Sequence, residues 1–104
     1  MALKLDADPT FQAEVGIPVP GKGDVAVFFT FKHRDQPAFE KFMQDARTKK
    51  MENVKFIMDV VVGWNLDDPF NKENVAKLLR NYHGAAGAIG RAYGRELSGA
   101  RLGN

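Results

Sequence analysis

The chain has 104 residues, 44% apolar and 27% charged, with fifteen basic and thirteen acidic side chains for a net charge of +2. That length provides one domain with a modest core, and the composition is that of a globular rather than a disordered protein. So small a net charge argues against a nucleic-acid surface, and the absence of cysteine excludes disulfides, thiolate metal sites and a cysteine nucleophile.

Residues Met1 to Thr10 have no basic start followed by an apolar run, so they do not read as a secretory signal. They are mixed and turn-prone, the pattern of a loosely held tail over 1–10. A single domain is expected over 11–104. From Phe11 the odd positions are apolar through Ala13, Val15, Ile17 and Val19, the alternation of a strand with one face on a core. Pro18 and Pro20 confine that strand to a sheet edge, because proline cannot donate to a ladder. Pro20-Gly21-Lys22-Gly23-Asp24 is a turn, and a second strand follows with Val25, Val27, Phe29 and Phe31 on one face. The two make a β-hairpin over 11–32, which needs something packed on it to be stable.

Four helical segments over 35–99 supply that cover. In the first, Asp35 is placed as N-cap, Pro37 is tolerated in the first turn, and Phe39, Phe42, Met43 and Ala46 repeat at helical spacing. The basic stretch at Arg47 to Lys50 suits its C-terminus. Asn53 is placed to cap a second helix with Val54, Ile57, Met58 and Val61 on its face. Its β-branched Val60-Val61-Val62 run favours a change to extended chain before Gly63-Trp64. Asn71 caps a third helix carrying Val75, Leu78, Leu79 and Tyr82, with Phe70 and Val75 placed as a hydrophobic staple. Gly84 reads as its stop. A fourth runs from Ala85 to about Leu97, with Ala86, Ile89, Tyr93 and Leu97 together. A hairpin followed by about four helices is an α+β fold. The longest apolar stretch, Ile57 to Val62, is broken by Asp59 and falls far short of the ~20 residues that span a bilayer.

Every tempting catalytic motif has a plainer reading. His33-Arg34-Asp35 spells the start of a kinase catalytic loop, but Glu40 stands where that loop has asparagine, and no Asp-Phe-Gly follows. Gly21-Lys22-Gly23 opens a strand, whereas a phosphate loop opens a helix. His33 and His83 have no acidic partner at metal-ligand spacing. Asp67-Asp68 before Pro69 is turn chemistry. With no nucleophile, base and orienter to assemble, the expectation is a protein that is not an enzyme and takes no cofactor or metal.

Candidate protein contacts lie elsewhere. Phe28 falls on the strand face opposite Phe29, where an apolar side chain beside an edge strand suits another chain. Trp64 either locks a corner of the core or presents a contact surface. Gly87, Gly90 and Gly94 punctuate the last helix, each at a cost of up to ~1 kcal/mol relative to alanine. Such small residues suit close packing, within the fold or by a second subunit. Arg91 and Arg95 between and beside them add charge to that surface.

The order of several stretches resembles a phage tail assembly chaperone family. These are Val15-Gly-Ile-Pro-Val-Pro-Gly-Lys-Gly, Phe29-Thr-Phe-Lys-His-Arg-Asp and Val62-Gly-Trp-Asn-Leu-Asp-Asp-Pro-Phe. The ending Leu78-Leu-Arg-Asn-Tyr-His-Gly-Ala-Ala-Gly-Ala-Ile, then Ala92-Tyr and Leu97-Ser-Gly-Ala-Arg-Leu-Gly-Asn, extends the likeness over roughly Val15 to Asn104. It departs at His83, where the family favours proline. The resemblance implies non-enzymatic work in the host bacterial cytoplasm. There the protein would hold the tape-measure protein soluble and help tail-tube subunits polymerise around it. It would self-associate and be absent from the mature virion. The family often makes a longer product by ribosomal frameshifting, and Leu102-Gly103-Asn104 is encodable by a slippery G-GGA-AAC. Two other classes compete: a structural tail-completion protein of the virion, and a small basic nucleic-acid-binding protein suggested by a pI near 9.0 and the C-terminal arginines.

Overall fold

Alternation sets the first two elements. A computed structural model describes residues 2–99, so Arg101 and the Leu102-Gly103-Asn104 ending lie outside the described residues. Strand β1 (Thr10–Val19) pairs antiparallel with β2 (Gly23–Lys32), with Thr10 opposite Lys32 and Val19 opposite Gly23. Between them Lys22 N–H donates to Val19 O at 3.0 Å. Gly21 has φ +80°, the conformation that the third position of a turn with proline second requires.

Helices cover one face of this hairpin only. Ala13, Val15 and Ile17 of β1 and Val27, Phe29 and Phe31 of β2 are buried, while Gln12, Glu14, Ala26 and Phe28 between them are exposed. Helix α1 (Gln36–Thr48) starts on Asp35, whose Oδ1 accepts the Ala38 N–H at 3.0 Å. No residue of α1 is buried, so it is held by single side chains: Phe42 lies 5.5 Å from Phe56, and Phe39 lies 5.8 Å from Tyr93, ring centre to ring centre. It ends with Lys50 in the left-handed region, φ +51°, and Met51 N–H bonded back to Ala46 O at 2.9 Å.

Helix α2 (Asn53–Val60) passes directly into β3 (Val61–Trp64). The β-branched run favours extended chain there, and the free edge of β2 supplies the ladder that makes it a strand. The sheet is therefore three-stranded and antiparallel, in the order β1-β2-β3, with Phe29 opposite Trp64 and an irregularity at Thr30/Phe31. Asn53 is the first residue of α2 rather than its cap. Glu52 holds the cap position and makes no side-chain capping bond.

Helix α3 (Lys72–Asn81) is capped by Asn71, whose Oδ1 accepts the Asn74 N–H at 2.8 Å. It stops at Tyr82, not at Gly84. With φ −87°, Gly84 is the N-cap of α4 (Ala85–Ser98) and not a left-handed terminator. Glycine is required there for space, because a β-carbon would stand 2.9 Å from Pro18 Cγ. That contact pins the start of α4 to the tip of the hairpin. From it α4 lies along β1, burying Ala85, Ala88, Ile89, Ala92 and Tyr93. The result is the α+β fold expected, one sheet with α2 and α4 against one face and α1 and α3 packed on those helices.

Candidate protein-contact surfaces

With the helices on one side, the other face of the sheet is left uncovered among the described residues. Phe28 is its largest apolar side chain, 46% exposed, and Val62 of β3 is 44% exposed. Glu14 stands directly opposite Phe28, and Gly16 and Ala26 form the next pair on that face. The edge beside it is closed locally: Asn65 Oδ1 accepts the Phe28 N–H at 2.9 Å, and Asn65 N–H donates to Phe28 O at 3.1 Å.

Trp64 faces the opposite way. Its ring meets Phe29 and Phe70 edge-on at 6.3 and 5.1 Å between centres, and its Nε1 donates to Asp68 O at 2.7 Å. It ties β3 to the loop before α3, the corner-locking role. It also lines a groove of about 430 Å³ between the hairpin tip and α3. Ile17, Val19, Val25 and Val27 make the apolar wall, and Asp67, Asp68 and Lys77 stand on the rim. Val25, expected on the core face, is 44% exposed because it lies in this groove, beyond the cover of the helices. Alternation alone could not reveal that gap, since α3 stands off from the hairpin tip only in three dimensions.

The last helix distributes its candidates over several directions. Gly90 would place a β-carbon 3.5 Å from Phe56, and Gly94 one 3.8 Å from Phe39, so both look onto side chains of the same chain. Both distances are ordinary van der Waals contact, with no close backbone approach. Gly87 is exposed, and the Arg91 guanidinium folds over it, with Nη1 3.0 Å from where a β-carbon would be. Arg91 is exposed and Arg95 half-buried. Phe28, Trp64 and the α4 glycines and arginines therefore do not converge on one site.

Arg34, notable in the sequence only as part of His33-Arg34-Asp35, is the most connected cation among the described residues. Its Nη1 donates to Tyr93 Oη at 2.9 Å, its Nη2 donates to Asp59 O at 3.1 Å, and its Cζ lies 4.0 Å above the Phe42 ring. With Asp35 as a helix cap and Arg34 in this bridge, His33-Arg34-Asp35 has a structural role. Among the described residues no group of three or more His, Cys, Asp or Glu side chains is placed to hold a metal ion. No helix among them is long and apolar enough to cross a membrane.

A sequence model of the phage tail assembly chaperone family matches residues 1–104, the whole chain. The chain belongs to that family. No significant match was found among curated proteins or among solved structures. Membership points to work on tail proteins during assembly rather than to catalysis.

Proposed function

We propose that this family member binds the tape-measure protein in the host bacterial cytoplasm, keeps it soluble, and promotes polymerisation of tail-tube subunits around it. It leaves before the virion is finished. A long helical ruler exposes apolar stripes until the tube encloses them, and such stripes aggregate unless covered. The observation that supports the reading is the uncovered sheet face, where Phe28 stands 46% exposed opposite Glu14. Aromatic side chains, phenylalanine among them, are enriched at protein interfaces.

The test is co-expression with the phage's own tape-measure protein. The wild-type chain should raise its soluble yield and co-purify with it. Phe28→Glu should lose both effects while keeping the wild-type circular dichroism spectrum, since Phe28 is outside the core. Equal tape-measure solubility with and without the chain, or recovery of the chain in stoichiometric amount from purified virions, would sink the reading. The second result would favour a tail-completion protein.

A further inference from the structure

The register of the hairpin fixes which way the backbone of β1 points. In an antiparallel pair, facing residues alternate between pairs that exchange hydrogen bonds and pairs that do not. His33 N–H donates to Pro9 O at 2.9 Å, and Phe28, opposite Glu14, turns its N–H and C=O to Asn65. The odd residues from Phe11 to Ile17 therefore bond to β2. Thr10, Gln12, Glu14 and Gly16 direct their N–H and C=O groups away from it. β1 is the outer strand of the order β1-β2-β3, and these four residues are exposed. Among the described residues, the backbone of Gln12, Glu14 and Gly16 has no partner on that side. Proteins blunt such edges with bulges, lysines, prolines or a covering element. β1 pairs over ten residues without a bulge, carries no lysine, and has proline only at Pro18 near its end.

Helix α4 puts two cations beside this edge. It lies along β1, while α2 packs on β2, β3 and one side of α4. Gly90 looks onto Phe56 of α2 and Gly94 onto Phe39 of α1. At about 100° per residue, Arg91 and Arg95 fall on the opposite flank of α4, above the open edge. Arg91 is exposed, Arg95 is half-buried, and neither is in an ion pair among the described residues. Their level follows from the contact of Gly84 with Pro18. Rising ~1.5 Å per residue from there, Arg91 stands about 10 Å and Arg95 about 16 Å along the helix. At ~3.4 Å per strand residue those heights match Val15 and Ala13.

We propose that the open edge of β1 takes an extended segment of another protein as a fourth strand, and that this segment carries two acidic side chains spaced by one residue. Such a pair lies on one side of a strand, ~6.8 Å apart, and meets arginines one helical turn, ~6 Å, apart. The side chains between and beside the acids fall on the outer face next to Glu14, where a further acid would be repelled. Main-chain bonds to Gln12, Glu14 and Gly16 supply the affinity, and the arginines select the acidic face. The edge is distinct from the Phe28 face, so a negative result here leaves the tape-measure test untouched.

The probe is a fluorescein-labelled eight-residue peptide of threonine and valine with two glutamates spaced by one residue. It is titrated into the purified full chain and read by anisotropy. It should bind, and binding should slow amide hydrogen exchange at Gln12, Glu14 and Gly16. A peptide of the same composition with the two glutamates adjacent should bind several-fold more weakly, because one acid then lies beside Glu14. Arg91→Glu with Arg95→Glu should weaken binding roughly ten-fold or more. Methylating the peptide nitrogens that face β1 should abolish binding at unchanged charge, and methylating the alternate ones should not. No binding of the first peptide, equal binding of the second, or binding that survives both methylation patterns would overturn the proposal. So would slow exchange of the three amides without peptide in a chain that light scattering shows to be dimeric, which gives the edge to a second copy.

Discussion

The Tyr93 hydroxyl accepts a hydrogen bond from Arg34 at 2.9 Å and donates one to Lys32 O at 2.8 Å, so one oxygen joins α4, the end of β2 and the connection to α1. The ring below it is fully buried and packs in a triangle with Phe31 and Phe11. Tyr93→Phe keeps that packing but leaves a partly buried carbonyl and guanidinium short of a partner. It should cost about 1–3 kcal/mol, read as a lower urea midpoint at an unchanged slope. Arg34→Lys should cost nearly as much, because an ammonium cannot reach Tyr93, Asp59 and the Phe42 face together. Equal stability of wild type and both variants would remove this bridge from the account of the fold.

Two glycines of the α4 region should respond to alanine in opposite directions. Gly84→Ala drives a methyl group into Pro18 at 2.9 Å, and neither the ring nor the pinned helix start yields easily. A loss of about 1–3 kcal/mol is expected, as for other overpacked sites. Gly94→Ala meets only Phe39 at 3.8 Å and gains helix propensity. It should stabilise the chain by about 0.5–1 kcal/mol. Thermal melts of the two variants side by side decide this, and a loss on Gly94→Ala would mean that Phe39 cannot accommodate the added methyl group.

The two asparagines that read alike in sequence should separate under mutation. Asn71→Ala removes the bond to Asn74 N–H at 2.8 Å and should cost about 1 kcal/mol. Asn53→Ala removes no capping bond and should stay within about 0.5 kcal/mol of wild type. Chemical denaturation measures both.

How much of this was legible in the chain differs by feature. The apolar alternation of Phe11 to Val19 and Val25 to Phe31 announced the hairpin, and the Asp35 and Asn71 caps are local chemistry that a short window carries. The Val60-Val61-Val62 run signalled extended chain, but not its partner, since pairing with β2 across the intervening helices is a long-range event. Gly84 looked like a terminator because sequence shows the residue type and not the proline packed against it. The α4 glycines looked like a packing stripe, yet Gly90 and Gly94 turn toward Phe56 and Phe39 while Gly87 turns out to solvent.

The sequence by itself determined the α+β class, the helix starts at Asp35 and Asn71, the one-sided sheet with Phe28 on its outer face, and the family resemblance. Each follows from periodicity, capping or residue order, which act over a few residues. Only the tertiary structure decided that β3 completes the sheet, that Arg34 and Tyr93 bind distant elements together, and that a groove opens between α3 and the hairpin tip. Those depend on where elements far apart in the chain come to rest, which is set by how the whole apolar surface is buried at once.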